Sequence, residues 1–225
     1  EVSLEGESRE MSVLFSDVRG FTTISEGLGP RELTQLMNEF LTPITAAIHR
    51  HRGTIDKYMG DAMMAFWNAP IDDPHHARHA CDAAIGIVHG LAAMNDHWRA
   101  KAKESNRPFV EVKLGIGINT GNCCVGNLGS NLRFDYSAIG DDVNVASRIE
   151  GLTKFYGLTV LMGEATAAQI PDRPSLEIDL VRVKGREQPS RLFTPLGVLG
   201  LDSSQYPALI AAQAMLLNCY RKSDW

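Results

Sequence analysis

The chain has 225 residues, 44% hydrophobic and 22% charged, an ordinary globular balance with enough length for one substantial core. Its formal net charge of −5, with basic residues scattered rather than striped, leaves no electrostatic footprint for a nucleic-acid polymer. No run approaches the roughly 18 apolar residues of a membrane span, and the opening EVSLEGESRE lacks the apolar stretch of a signal peptide.

Met11 to Asp17 reads as the first strand and Gly20 to Gly27 as a short helix, with Gly29-Pro30 as a break. A long amphipathic helix then runs to His51, with Leu33, Leu36, Met37, Phe40, Leu41, Ile44, Ala47 and Ile48 at helical spacing. Pro43 inside it warns of a kink. Ile55 to Trp67 reads as a hairpin, two runs rich in β-branched and aromatic residues around Met59-Gly60-Asp61. After a loop from Asn68 to Pro74 comes a second long helix, His75 to Glu104, at whose start His75, His76 and His79 are expected to be exposed or capping. Val110 to Asn119 alternates as a strand should. The glycines between Gly121 and Gly129 suit a bend close to another backbone or to phosphate, and Phe134 to Ile139 is a further strand.

Asp141 is expected to cap a helix from Val143 to Phe155. Strands at Thr159 to Met162, near Leu176 to Val183 and at Ser190 to Pro195, a short helix at Gly163 to Gln169 and an amphipathic helix from Tyr206 complete the alternation. The first turn carries no G-x-G-x-x-G, so a dinucleotide fold is not supported. Cys81, Cys123, Cys124 and Cys219 show no zinc spacing and are expected to be reduced and structural, the vicinal pair pointing to opposite faces of a strand.

Two stretches carry chemistry. Val13 to Thr23, VLFSDVRGFTT, runs a buried strand into a carboxylate at the mouth of a helix. Helix N-terminal N–H groups attract anions and a carboxylate holds a cation, so Asp17 is a candidate metal ligand; alone, it reads equally as an N-cap or turn residue. Thr54 to Asn68, TIDKYMGDAMMAFWN, places Asp61 at a hairpin tip, where it converges on Asp17 if the two strands are neighbours in one sheet. Together the two carboxylates could hold two metals.

Three motifs now stand in one order: Phe15-x-Asp17-x-x-x-Phe21-Thr22, Asp56-Lys57-Tyr58-Met59-Gly60-Asp61, and Ile139-Gly140-Asp141-Asp142-Val143-Asn144-Val145-Ala146-Ser147-Arg148. With them the chain resembles the catalytic domain of class III nucleotidyl cyclases, of the bacterial adenylate cyclase type, over roughly Arg9 to Pro195. The resemblance implies an α+β fold, a ferredoxin-like βααββαβ core with extra C-terminal strands and a helix. It divides the chain into a linker over 1–10, a catalytic domain over 11–197 and a C-terminal helical tail over 198–225. The chain starts at Glu1 rather than a methionine, and is read as a cytoplasmic catalytic module of a longer protein whose upstream part is a sensor, often membrane-bound.

The implied reaction converts ATP to 3′,5′-cyclic AMP and pyrophosphate by in-line attack of the ribose 3′-oxygen on the α-phosphorus, assisted by two divalent cations, Mg²⁺ or Mn²⁺, about 3.5–4 Å apart. Asp17 and Asp61 match the family's metal pair, with the backbone of Val18 adding a carbonyl and the N–H groups near Phe21 and Thr22 meeting phosphate. Asn144 matches the residue that orients the ribose, and Arg148 the one that stabilises charge on the α-phosphate. Lys57 and Ser137 match the purine-reading pair: lysine only donates, which suits N1 of adenine, and a serine hydroxyl can accept from the adenine amino group. Many members carry aspartate or threonine at the position of Ser137. Lys184 matches a lysine that meets the terminal phosphates, although K-G-R is also an ordinary basic turn, and Arg133 is a further phosphate candidate. The family's metal aspartates face the other residues across a dimer, so a homodimer with two composite sites is expected. A guanylate cyclase, or a cyclase-like domain that only binds nucleotide or dimerises, are the alternatives; the presence of Asp17, Asp61, Asn144 and Arg148 argues against the last.

Overall fold

The computed structural model describes residues 6–106, 108–130, 132–183 and 188–222. Strand β1 (Gly6–Arg19) leads through α1 (Phe21–Glu26) and α2 (Pro30–Arg50) to the hairpin β2 (Thr54–Met59) and β3 (Ala62–Trp67). Then follow α3 (His76–Glu104), β4 (Lys113–Ser130), β5 (Arg133–Ile139), α4 (Asp141–Tyr156), β6 (Val160–Gly163), α5 (Glu164–Ala168), β7 (Ser175–Val181), β8 (Ser190–Pro195) and α6 (Tyr206–Lys222). One sheet takes the order β2-β3-β1-β4-β6-β8-β7, and β5 pairs with the second half of β4. The β1-α1-α2-β2-β3-α3-β4 sequence is the expected α+β core, and β6 to α6 extend it.

Two layers bury the sheet. Helices α2 and α3 cover one face, where Phe40, Ile44, Ile48, Ala80, Ala84 and Ile87 meet Leu14, Ile116 and Ile118. Each large side chain contributes about 1.5–3 kcal/mol on burial. The alanines of α3 let that helix approach closely, and Trp67, fully buried, donates its indole N–H to the His51 carbonyl at 2.8 Å. On the other face, α4 and the β4–β5 hairpin close over Met11, Val13, Met64 and Phe66.

Several expectations change. Residues Gly6 to Glu10, expected as linker, are the first part of β1, paired from Gly6↔Gly126 to Glu10↔Asn122. Their polar, exposed side chains conceal the strand. Helix α2 continues through Pro43. The Gly121–Gly129 stretch does not interrupt the strand: β4 continues through it. Gly121 makes room for helix α4, since a Cβ there would stand 2.1 Å from the Asp142 Cγ, and Gly129 lies close to the β5 backbone, where a Cβ would stand 2.3 Å from the Arg133 carbonyl oxygen. The cap of α4 is Gly140, at φ 144°, rather than Asp141, which occupies the first turn. His76 is buried, bonded through Nδ1 to the Ser12 hydroxyl at 2.8 Å, which in turn meets Thr120 at 2.7 Å. All four cysteines are free thiols, and no described helix is long and apolar enough to cross a membrane. The tail helix α6 lies against β7, with Leu217 buried and Gln213 donating to the Glu177 carbonyl.

Candidate active site

Asp17 lies in the central strand β1, between β3 and β4. It is not the strand's last residue, because pairing with β4 persists through Arg19↔Lys113. Gly20, at φ 70°, then turns the chain into α1. The register with β3 ends at Ser16↔Met63, so the next step brings the Gly60-Asp61 turn beside Asp17. Asp61 is the charged neighbour of Asp17. Burial first, then the Asp61 charge and hydrogen bonding with its side chain, raise the Asp17 carboxyl above its usual range, against a lowering contribution from the Val18 N–H. Two neighbouring carboxylates suit a hard divalent cation, which takes one or two carboxylates and completes its shell with substrate phosphate and water. Val18 is buried in the core, so only its backbone can face such an ion.

A cleft of about 240 Å³ borders Asp17 and is lined also by Arg19, Gly20, Glu150, Gly151 and Lys154. Burial, then the Asp17 charge, pushes the Glu150 carboxyl up to about 7, opposed by Arg19. The sequence offered no signal for Glu150; it depends on α4 lying across β1 and β4.

Lys57 and Ser137 are brought together through a third residue. Ser137 is buried on β5 and donates its hydroxyl to Asp56 Oδ2 at 2.6 Å. The Lys57 ammonium, half exposed, stands 3.2 Å from Asp56 Oδ1. Asp56 was visible only as a letter of the D-K-Y-M-G-D motif, because nothing in the sequence marks the strand irregularity that aims it inward.

Asn144 and Arg148 lie one turn apart on α4, anchored by the buried Val145, Ala146 and Ile149. Asn144 is exposed. Arg148 Nη1 is buried without a hydrogen-bond partner, its nearest acid being Asp141 Oδ1 at 3.9 Å. A buried donor left without an acceptor is costly, which suits a group that meets an anionic ligand. Phe21 packs its ring on the α2–α3 core, whereas Thr22 is exposed. Arg133 is exposed at the start of β5, at the hairpin tip. Lys184 lies outside the described residues. Among the described residues, no hydrogen bond or ion pair joins Asp17 or Asp61 to Lys57, Ser137, Asn144 or Arg148.

The model of the adenylate and guanylate cyclase catalytic domain matches residues 5–190. Adenylate cyclase 1 of Rhizobium meliloti is 38% identical over 192 residues, covering 85% of this chain and 28% of that protein. The adenylate cyclase of Anabaena cylindrica is 37% identical over 190 residues, covering 83% and 36%. The chain therefore spans about a third of the length of these curated relatives. Among solved structures, the adenylyl cyclase CyaB from P. aeruginosa superposes with a TM-score of 0.78 at 31% identity, over 90% of this chain and 99% of that one. The guanylyl cyclase Cya2 does so with a TM-score of 0.72 at 30% identity, over 84% and 93%. With the matched domain spanning most of the chain, the protein belongs to the adenylate and guanylate cyclase catalytic domain family, the class III nucleotidyl cyclases.

Proposed function

We propose that the chain is an adenylate cyclase that forms 3′,5′-cyclic AMP and pyrophosphate from ATP at composite sites of a homodimer. The observation that carries this reading is the pair of separate clusters: Asp17 with Asp61, and Lys57 with Ser137. Asp17, Asp61 and the Val18 carbonyl would hold divalent cations, Mg²⁺ or Mn²⁺, which activate the 3′-hydroxyl and neutralise the leaving phosphates. The backbone N–H groups of Phe21 and Thr22, in the first turn of α1, precede any helical acceptor and are placed to meet phosphate. Asn144 orients the ribose, and Arg148 offers its unpartnered Nη1 to charge developing on the α-phosphate. Lys57 donates to N1 of adenine while Ser137 accepts from the amino group. Arg133 and Lys184 are left to the outer phosphates.

Two supports favour a dimer. Among the described residues, no hydrogen bond or ion pair joins Asp17 or Asp61 to Lys57, Ser137, Asn144 or Arg148, and Tyr58, Met59, Phe134 and Ile139, which flank Lys57 and Ser137, expose large apolar surfaces. The upstream part of a longer polypeptide would supply a sensor or membrane region, placing this domain in the cytoplasm.

The test offers ATP and GTP in one reaction to the purified chain with Mn²⁺ and resolves the two cyclic products. Cyclic AMP in large excess is expected. Cyclic GMP in excess would overturn the base assignment, and no product from folded dimer would favour a signalling-only domain.

A further inference from the structure

Strand β2 carries an irregularity at one residue. Ile55 pairs with Ala65 and Lys57 with Met64, so Asp56 is an extra residue with no partner on β3. Such a bulge re-aims its side chain, and here it turns Asp56 toward β5. The Asp56 side chain is fully buried. Its Oδ2 accepts from the Ser137 hydroxyl at 2.6 Å and from the Ala138 N–H at 3.3 Å. Its Oδ1 has no hydrogen bond and faces the Lys57 ammonium at 3.2 Å.

We infer that Asp56 is a positioning residue that sets the hydrogen-bond polarity of the base-reading pair, which makes Ser137 an acceptor toward position 6 of the purine. The inference rests on the reading of Lys57 and Ser137 as purine contacts. An ionised carboxylate only accepts, so the single Ser137 hydrogen is committed to Asp56 and the remaining lone pairs of Oγ face outward. The separation of 2.6 Å is that of a charge-assisted bond, among the stronger kinds. Adenine presents an amino donor at position 6. Guanine and hypoxanthine present a carbonyl there, which would meet Ser137 lone pair to lone pair. Asp56 thus confers adenine preference on a serine that could otherwise turn and donate, and the same carboxylate fixes the ammonium that serves N1.

The test compares kcat/KM for ATP and for ITP, whose base has a carbonyl at position 6 and a proton on N1 and lacks the 2-amino group of guanine, with Lys57 kept in every variant. In Asp56→Ala the acceptor facing Ser137 is gone and its hydroxyl can turn to donate. The ATP:ITP ratio is expected to fall about tenfold, mostly through KM for ATP. Ser137→Ala should lower the ratio similarly, and adding Asp56→Ala to it should change the ratio less than Asp56→Ala does alone, since the two share one hydroxyl. An unchanged ratio in folded Asp56→Ala, or full additivity in the double variant, would overturn the inference. Should Asp56→Ala fail to fold, an unchanged ratio in Ser137→Ala overturns it equally. Wild-type preference for GTP over ATP would instead remove the underlying functional reading, so the two failures are separable.

Discussion

Asp17 and Asp61 come from the middle of a sheet and from a hairpin turn, yet they are neighbours, and burial together with the Asp61 charge makes ionisation of Asp17 harder. A divalent cation relieves that repulsion. Mn²⁺ should therefore raise the melting temperature, with stabilisation of about 2.7 kcal/mol at a hundredfold excess over Kd. Asp17→Asn and Asp61→Asn should each abolish most of the shift. Thermal denaturation with and without Mn²⁺ reads this directly.

Glu150 should make stability depend on pH in the metal-free protein. Its folded pKa of about 7 lies above the ordinary carboxylate value of 4.5. Between those values the folded state holds more protons than the unfolded one, so this contribution is present below pH 4.5 and is lost as pH rises through 7. Glu150→Gln should be more stable than the parent above pH 7 and gain nothing near pH 4.5. Melting curves in EDTA across that range are the check, at about 2–4 °C per kcal/mol for a chain of this size.

Arg148→Ala should separate activity from stability. Loss of one preorganised donor at the reacting phosphate typically lowers kcat about 10²–10³-fold. Because Nη1 has no hydrogen bond to lose and only a 3.9 Å ion pair with Asp141, the melting temperature should change little or rise. A large fall in stability would mean that the guanidinium is structural.

Gly117→Ala tests how α4 is seated. A Cβ there would stand 2.2 Å from the Glu150 backbone nitrogen and 2.5 Å from the Ala146 carbonyl oxygen. Backbone cannot swing aside as a side chain can, so helix and strand must part. A loss of about 1–3 kcal/mol is expected, with reduced kcat because Asn144 and Arg148 ride on the same helix.

Much of this fold is legible in the sequence because its apolar periods are strong: the amphipathic α2, the hairpin and the long α3 follow from them. The misreadings share a cause. Glycine is read as a breaker, yet Gly115, Gly117 and Gly121 of β4 leave room for α4, and only tertiary packing distinguishes the two uses. Gly6 to Glu10 hide a strand since their side chains are polar and mostly exposed, and His76 looks like a surface residue until Ser12 closes over it. At the site, Asp17 and Asp61 were readable as a motif and as a geometric convergence. Asp56 and Glu150 were not, since one depends on a bulge and the other on a helix crossing.

The central claim is that two chains complete one site. Asp17→Ala and Arg148→Ala should each be nearly inactive alone, one lacking the metal cluster and the other the phosphate donor. Mixed in equal amounts and allowed to exchange subunits, half of the dimers are mixed and each has one intact site, so cyclic AMP formation should return to about a quarter of the parent rate. Persistent inactivity of the mixture, with both chains folded and the mixed dimer demonstrated, would contradict the composite site.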